Sequence, residues 1–289
     1  MAKIKILLDS TGDIPPEWIE KLDVEIIPLH LLWEGSGQSE DDTRERAQVE
    51  DFWKRLAQGD SVPKTSQPTP LEFDQKIEKI LGAGYEGVFV LTLSSKMSGT
   101  FNSAFIASKK YPDAVRILDT GLASSANALV TRRARELVDQ GFSLDELQKS
   151  VEAEIKQRRF GAFFYVSDFD FLKKGGRISR FTGFVGSMLK LRVSLYIDDQ
   201  GEMLPFAKSR GLEKTQQAVL KQVQEQFSPG SKVNISMVYC DSLPETQQLF
   251  ERLQKVYDVQ DVSYTPMGKV ISSHVGPGAS GFGIELLEK

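Results

Sequence analysis

The chain has 289 residues, long enough for one large domain or two ordinary ones. Hydrophobic residues make up 40% and charged residues 26%, and the net charge of -4 mixes both signs along the chain. That supports a globular core and excludes a nucleic-acid binder working through a general basic field.

A single cysteine, Cys240, rules out an intramolecular disulfide and fits a reducing compartment. Met1-Ala2-Lys3-Ile4 opens directly into a strand without signal-peptide character, and no apolar run approaches transmembrane length. A cytoplasmic protein is expected. The only histidines are His30 and His274, and no ligand-spaced cluster surrounds them, so no metal site is expected.

Lys3 to Leu8 reads as an apolar strand ending at Asp9-Ser10-Thr11-Gly12-Asp13. Strand ends of this kind carry ligand sites in α/β folds, so Asp9 and Ser10 are candidates to line one. Asp13 is expected only to satisfy turn backbone. A helix follows from Pro15. Val24 to Leu32 reads as one strand, with His30 in its core or at its edge. Glu34 to Gln48 reads as an exposed acidic loop leading into a helix over Val49 to Leu56.

Pro63 to Glu72 contains a capping box, with Thr69 as cap, Pro70 first in the helix and Glu72 third. This leaves Thr65 and Ser66 as hydroxyls on a stiff segment, pre-organised to hold a ligand. The helix runs over Leu71 to Leu81. Gly87 to Leu91 is a buried strand, and Leu93-Ser94-Ser95-Lys96-Met97-Ser98-Gly99-Thr100 then turns into a helix. Ser98 is placed as its N-cap. Such a helix start suits a small anion, a carboxylate or single phosphate, and Gly99 allows close backbone approach. Capping alone also accounts for Ser98.

Val115 to Leu118 is a strand, Leu122 to Gln140 a helix, and Ser143-Leu144-Asp145-Glu146 a second capping box. Strands alternating with helices to this point mean a mostly parallel sheet. From Phe160 the character changes. Phe160, Phe163, Phe164, Phe169, Phe171, Phe181 and Phe184 surround Leu172-Lys173-Lys174-Gly175-Gly176-Arg177-Ile178-Ser179. Aromatics around a Gly-Gly-Arg turn make either an apolar pocket with a cationic mouth or an ordinary second core. Ser194 to Ile197 and Met203 to Lys208 form a hairpin, Gly211 to Gln226 a helix and Val233 to Tyr239 a strand. A third capping box is read at Ser242 and Glu245. His274 sits between a strand and the turn Gly276-Pro277-Gly278.

Five segments in this order resemble the DegV family of bacterial fatty-acid-binding proteins, the carrier subunits of fatty acid kinase. They are Asp9-Ser10-Thr11, Thr65-Ser66-Gln67-Pro68, Ser94 to Thr100, Leu172 to Ser179, and His274 with Gly276-Pro277-Gly278. The resemblance covers Asp9 to Gly278. It implies two α/β domains, 1–160 with a parallel sheet and 161–289 with a mixed sheet, the ligand being buried between them. The boundary is expected between Glu154 and Val166. It implies a fatty acid whose carboxylate is held by Thr65 and Ser98, with Ser66, Ser95 and Gly99 beside them and Arg177 and His274 as basic neighbours.

The same resemblance implies no catalytic residue, no metal and no cofactor beyond the bound fatty acid. It further implies a separate ATP-dependent kinase that phosphorylates the carboxylate for phospholipid synthesis, and transient membrane contact would fit that traffic. Met97 and Phe169-Asp170-Phe171-Leu172 depart from the commoner family pattern and bear on which acyl chain fits. The residues leave alternatives open: a serine hydrolase with Ser98 and His274, a phosphosugar or nucleotide enzyme, or a binding module for another small organic acid. The first lacks a Gly-x-Ser-x-Gly elbow and the second lacks a P-loop.

Overall fold

The computed structural model describes residues 3–34, 39–43, 45–59, 61–177 and 191–288. Ile178, Ser179, Phe181 and Phe184 lie outside them.

The first sheet contains β1 (Ile4–Asp9), β2 (Val24–Ile27), β6 (Gly87–Thr92) and β7 (Val115–Asp119). Its order is β2-β1-β6-β7, with all neighbours parallel. Parallel sheets need both faces covered, and the alternation along β1 shows how this is done. Ile4, Ile6 and Leu8 face α1 (Pro16–Lys21), α5 (Ser125–Asp139) and α6 (Leu144–Lys156). Leu7 joins Val88 and Val90 against α3 (Pro70–Gly82) and α4 (Thr100–Ser108).

A small antiparallel sheet is built from β3 (His30–Leu32), β4 (Ser39–Asp41) and β5 (Lys64–Ser66), in the order β4-β3-β5. It stands beside α2 (Arg46–Ala57). The second large sheet uses β8 (Phe160–Val166), β9 (Arg192–Ile197), β10 (Met203–Ser209), β11 (Lys232–Tyr239), β12 (Asp258–Pro266) and β13 (Ser280–Glu288). Its order is β10-β9-β8-β13-β11-β12, and only the β11–β12 pair is parallel. One face packs on α8 (Leu212–Gln226) and α9 (Leu243–Leu253) through Val219, Val223, Leu249 and Leu253. Helix α5 contacts β1 of the first sheet and also β8, β11 and β13 of the second. Two short helices complete the fold, α7 (Asp170–Lys174) and α10 (Lys269–Val275).

The α/β class, with a parallel and a mixed sheet, agrees with the sequence reading. Several local expectations are corrected. Val24 to Leu32 is not one strand: Pro28 has no N–H to donate, so β2 stops at Ile27 and β3 joins a different sheet. The acidic stretch after Glu34 is not simply exposed, because it contains β4 and the buried Asp42. Helix α5 begins at Ser125, since Ser124 sits at φ 55°, outside helical geometry.

The capping boxes at Thr69/Glu72 and Ser143/Glu146 form. The third does not. Glu245 is taken by a two-pronged pair with Arg192, at 2.6 and 2.8 Å, and Ser242 Oγ donates to the Ala279 carbonyl. A charge-assisted fork outweighs a neutral cap bond. His274 lies on the last turn of α10, not at a strand end. Asp13 reaches far beyond its own turn, accepting from the Gly268 N–H (2.7 Å) and from Ser124 Oγ.

Candidate functional site

A cavity of about 380 Å³ lies between the two large sheets. Leu93, Met97, Phe163, Phe164, Met203 and Phe282 give it an apolar wall. At one side the wall turns polar. Thr65 and Ser66 enter from β5 and Gln67 from just beyond it, Ser98 and Gly99 from the turn before α4, Arg177 from the segment after α7 and His274 from α10. Apolar volume with a few convergent polar groups is the usual make-up of a small-molecule site.

Each polar group has a structural origin. β5 pairs with β3 through Thr65 opposite Leu31, and the α3 capping box fixes the chain beyond it. The Ser98 turn closes on itself, with the Met97 and Ser98 N–H groups donating to the Ser94 carbonyl. Ser98 is not the cap of α4; Gly99 occupies that position. Ser98 Oγ instead accepts from the Thr100 N–H (3.3 Å) and lies 2.9 Å from Thr100 Oγ1, leaving it on the cavity rim. A Cβ on Gly99 would sit 2.2 Å from Gln67 Oε1, so the glycine makes room for Gln67, whose Nε2 donates to Ser103 Oγ.

His274 is held from a distance. The first amides of α10 have no local side-chain cap. Asp13 accepts from Gly268 N–H and Asp42 from Lys269 N–H, both at short range, placing carboxylates at the positive helix end. The wholly buried Lys269 ammonium pairs with Glu40 and also donates to the Asp41 carbonyl. Trp53 Nε1 donates to Ser272 Oγ at 2.9 Å.

At the other end of α10, His274 Nε2 lies 2.9 Å from Thr65 Oγ1. Its Nδ1 is buried and has no partner among the described residues. Burial, reinforced by the Arg177 charge, pushes the imidazole down to about 4, so it is neutral at pH 7. Arg177 donates to the carbonyls of Met97 and Gly175. Burial alone holds its guanidinium below the ordinary value, and no carboxylate pairs with it among the described residues.

The structure thus brings together Thr65, Ser66, Ser98, Gly99, Arg177 and His274. It does not bring in Ser95, which is exposed and whose N–H donates to Asp119. Asp9 and Ser10 do not line the cavity either. Asp9 is buried and accepts from Thr11 N–H, Thr11 Oγ1 and Leu93 N–H; Ser10 Oγ donates to Asp42. Thr11 lines the cavity in their place, with Ser124 and Ser125. These two serines were hidden inside a helix by the sequence reading, and only the helix start at Ser125 reveals them. No Ser98–His274 dyad of the hydrolase type is present: His274 turns to Thr65, and no carboxylate orients its Nδ1 among the described residues. Among those residues no His/Cys/Asp/Glu group could hold a metal, and no helix is long and apolar enough to cross a membrane.

A parallel and a mixed sheet on either side of an apolar cavity, with a hydroxyl, imidazole and guanidinium rim, define an α/β protein with a small-molecule site between its two large sheets. The chain belongs to the DegV family, whose model, described as "Uncharacterised protein, DegV family", matches residues 3–286. It is 47% identical over 287 residues to a protein of Thermotoga maritima named fatty acid-binding protein, covering 99% of each chain. A solved structure from the same organism, described as revealing fatty acid binding function, is 44% identical. It superposes with a TM-score of 0.92 over 99% of this chain and 100% of the other. The fold is shared, at 23% identity and a TM-score of 0.81, with the fatty acid kinase (Fak) B3 protein of Streptococcus pneumoniae loaded with linoleic acid. That match covers 99% of this chain and 100% of the other.

Proposed function

We propose that this chain binds one long-chain fatty acid in the cavity and presents its carboxylate to a separate ATP-dependent kinase. The observation that carries the reading is the Arg177 guanidinium, which has no carboxylate partner among the described residues, beside two hydroxyls and a neutral imidazole at one side of an otherwise apolar cavity. A cation without a carboxylate, partly withdrawn from water, favours an anionic ligand. The apolar wall supplies the affinity, at about 0.8 kcal/mol per buried methylene.

Nε2–H of the neutral His274 donates to Thr65 Oγ1 in this reading, which leaves the Thr65 hydroxyl proton for the ligand. Ser98 donates beside it, with Ser66 and Gly99 completing the cradle and Gln67 bracing it. The halves 1–160 and 161–289 close on the acyl chain. Hydroxyls neutralise the head group without forming a tight ion pair, so its oxygens stay available to a phosphoryl donor. Lys173 and Lys174, exposed on α7 near Arg177, suit an acidic partner surface. The kinase step is supported by the shared fold with the Streptococcus pneumoniae protein and by these exposed lysines beside the polar side of the cavity.

The test is native mass spectrometry of the purified chain, followed by extraction, then binding of the identified fatty acid to Thr65→Ala and Ser98→Ala. Each lost bond to a charged group is worth about 1.5–3 kcal/mol, a weakening of roughly 10- to 100-fold. A chain that neither carries nor takes up fatty acid overturns the reading. Full retention by both variants overturns the cradle. Acyl-phosphate is expected only when a fatty acid kinase and ATP are added.

A further inference from the structure

We propose that Thr11, Ser124 and Ser125 form a second polar station along the cavity, which recognises a hydroxyl group carried part-way down an acyl tail. The inference rests on the fatty-acid reading above and adds a substrate class to it.

All three side chains line the cavity at the start of α5, a 15-residue helix. Their hydrogen bonding is unequal. Thr11 Oγ1 donates to Asp9 and Ser124 Oγ donates to Asp13, so both hydroxyl protons are committed and only lone pairs remain for a ligand. Burial pushes the Asp9 carboxyl up to about 6, which still leaves it an ionised acceptor at pH 8. Ser125 differs. It is 1% exposed, it lines the cavity, and its hydroxyl has no hydrogen-bond partner among the described residues. A buried hydroxyl is normally satisfied. Here one donor and the lone pairs of two neighbours line the same cavity, Ser124 N–H donating to the Thr11 carbonyl.

A methylene satisfies none of these groups. A ketone accepts from Ser125 and offers nothing to the Thr11 and Ser124 lone pairs. An alcohol does both, because it accepts one bond and donates another. The station is also separate from the carboxylate cradle. Ser124 is tied through Asp13 to the Gly268 end of α10, whereas His274 and Thr65 meet at the opposite end of that helix. A hydroxyl on the carbon next to the carboxylate therefore falls short of it, and one further along the chain reaches it.

The experiment is a competition assay at pH 8 with stearate, its 2-, 6-, 8-, 10- and 12-hydroxy derivatives and the matching oxo acids, on the wild type and on Ser125→Ala. One of the four mid-chain alcohols is expected to bind the wild type at least as tightly as stearate. Ser125→Ala is expected to weaken that alcohol roughly fivefold relative to stearate, the worth of one neutral hydrogen bond. The 2-hydroxy acid is expected to show no Ser125-dependent preference, and the oxo acid is expected to bind the wild type more weakly than its alcohol. If Ser125→Ala folds poorly, Ser125→Cys keeps the size and replaces the hydroxyl by a weak donor. Stearate binding with every mid-chain alcohol rejected, or a preference unchanged by both substitutions, overturns the station alone. Failure of stearate and all the alcohols to bind overturns the fatty-acid reading and the station with it.

Discussion

The two sides of the cavity rim are built by opposite means. The hydroxyl side is local. Thr65 and Ser98 sit on segments fixed mostly by the near chain: the β3 pairing and the Thr69 capping box for the first, the turn in which the Ser94 carbonyl accepts from Met97 and Ser98 for the second. The imidazole side is assembled from across the molecule. Helix α10 is seated by Asp13, Glu40, Asp42 and Trp53, which lie between 219 and 255 residues away in sequence from their partners. Placing a hydroxyl needs a turn, whereas placing His274 needs most of the fold. Damage to distant residues should therefore reach the imidazole before it reaches the hydroxyls.

The largest effect is expected on the assembled side. Among the described residues, Glu40→Leu leaves the wholly buried Lys269 ammonium with only the Asp41 carbonyl and the Gln48 side chain. Stranding a buried charge costs about 3 kcal/mol or more, so urea denaturation should show a loss near that size. A loss below about 0.5 kcal/mol would mean that the pair does not seat α10. Next come two matched methyl additions. A Cβ on Gly175 would lie 2.2 Å from His274 Nδ1, and one on Gly99 equally close to Gln67 Oε1. The imidazole is wedged at the end of a seated helix and cannot retreat, so Gly175→Ala should cost about 1–3 kcal/mol of overpacking and release the ligand. Gln67 ends a flexible side chain, so Gly99→Ala should cost less and weaken retention only partly. Equal effects on retention would erase the contrast between the two sides. The smallest of these changes is Thr69→Ala, which removes a local cap worth about 1 kcal/mol and should leave fatty acid retention intact.

The same contrast decides what could be read from the sequence. The α/β class, the Thr69 and Ser143 capping boxes and the hydroxyls at Thr65 and Ser98 were legible because their signals are short-range. Helix α10 was not. Ile271-Ser272-Ser273-His274-Val275 has weak helical propensity, and its start is capped by Asp13 and Asp42 rather than by a residue before Lys269. No window of sequence contains that cap. For the same reason Asp13 looked like a turn residue and Ser242 like a cap. The choice of Ser95 over Gln67 reflects a limit of another kind: composition does not say which polar side chain of a loop faces inward.

The last prediction uses the imidazole to report on where the ligand's charge sits. Burial and Arg177 hold His274 at about 4 in the folded chain, below its ordinary 6.5. As pH falls through 6.5 the unfolded chain takes the proton first, so this group's contribution to stability is full above 6.5 and declines towards pH 4. A carboxylate held within about 4–6 Å of the ring would favour the charged form and move the midpoint up by about 1 to 3 pH units. The chain has two histidines, His30 and His274, so a His30→Asn background leaves one imidazole signal to follow by NMR. The midpoint should rise when fatty acid is added, and by less in Thr65→Ala. A fatty acid that binds without moving it would place its head group away from His274, and the assembled side of the rim would then serve only to hold Thr65.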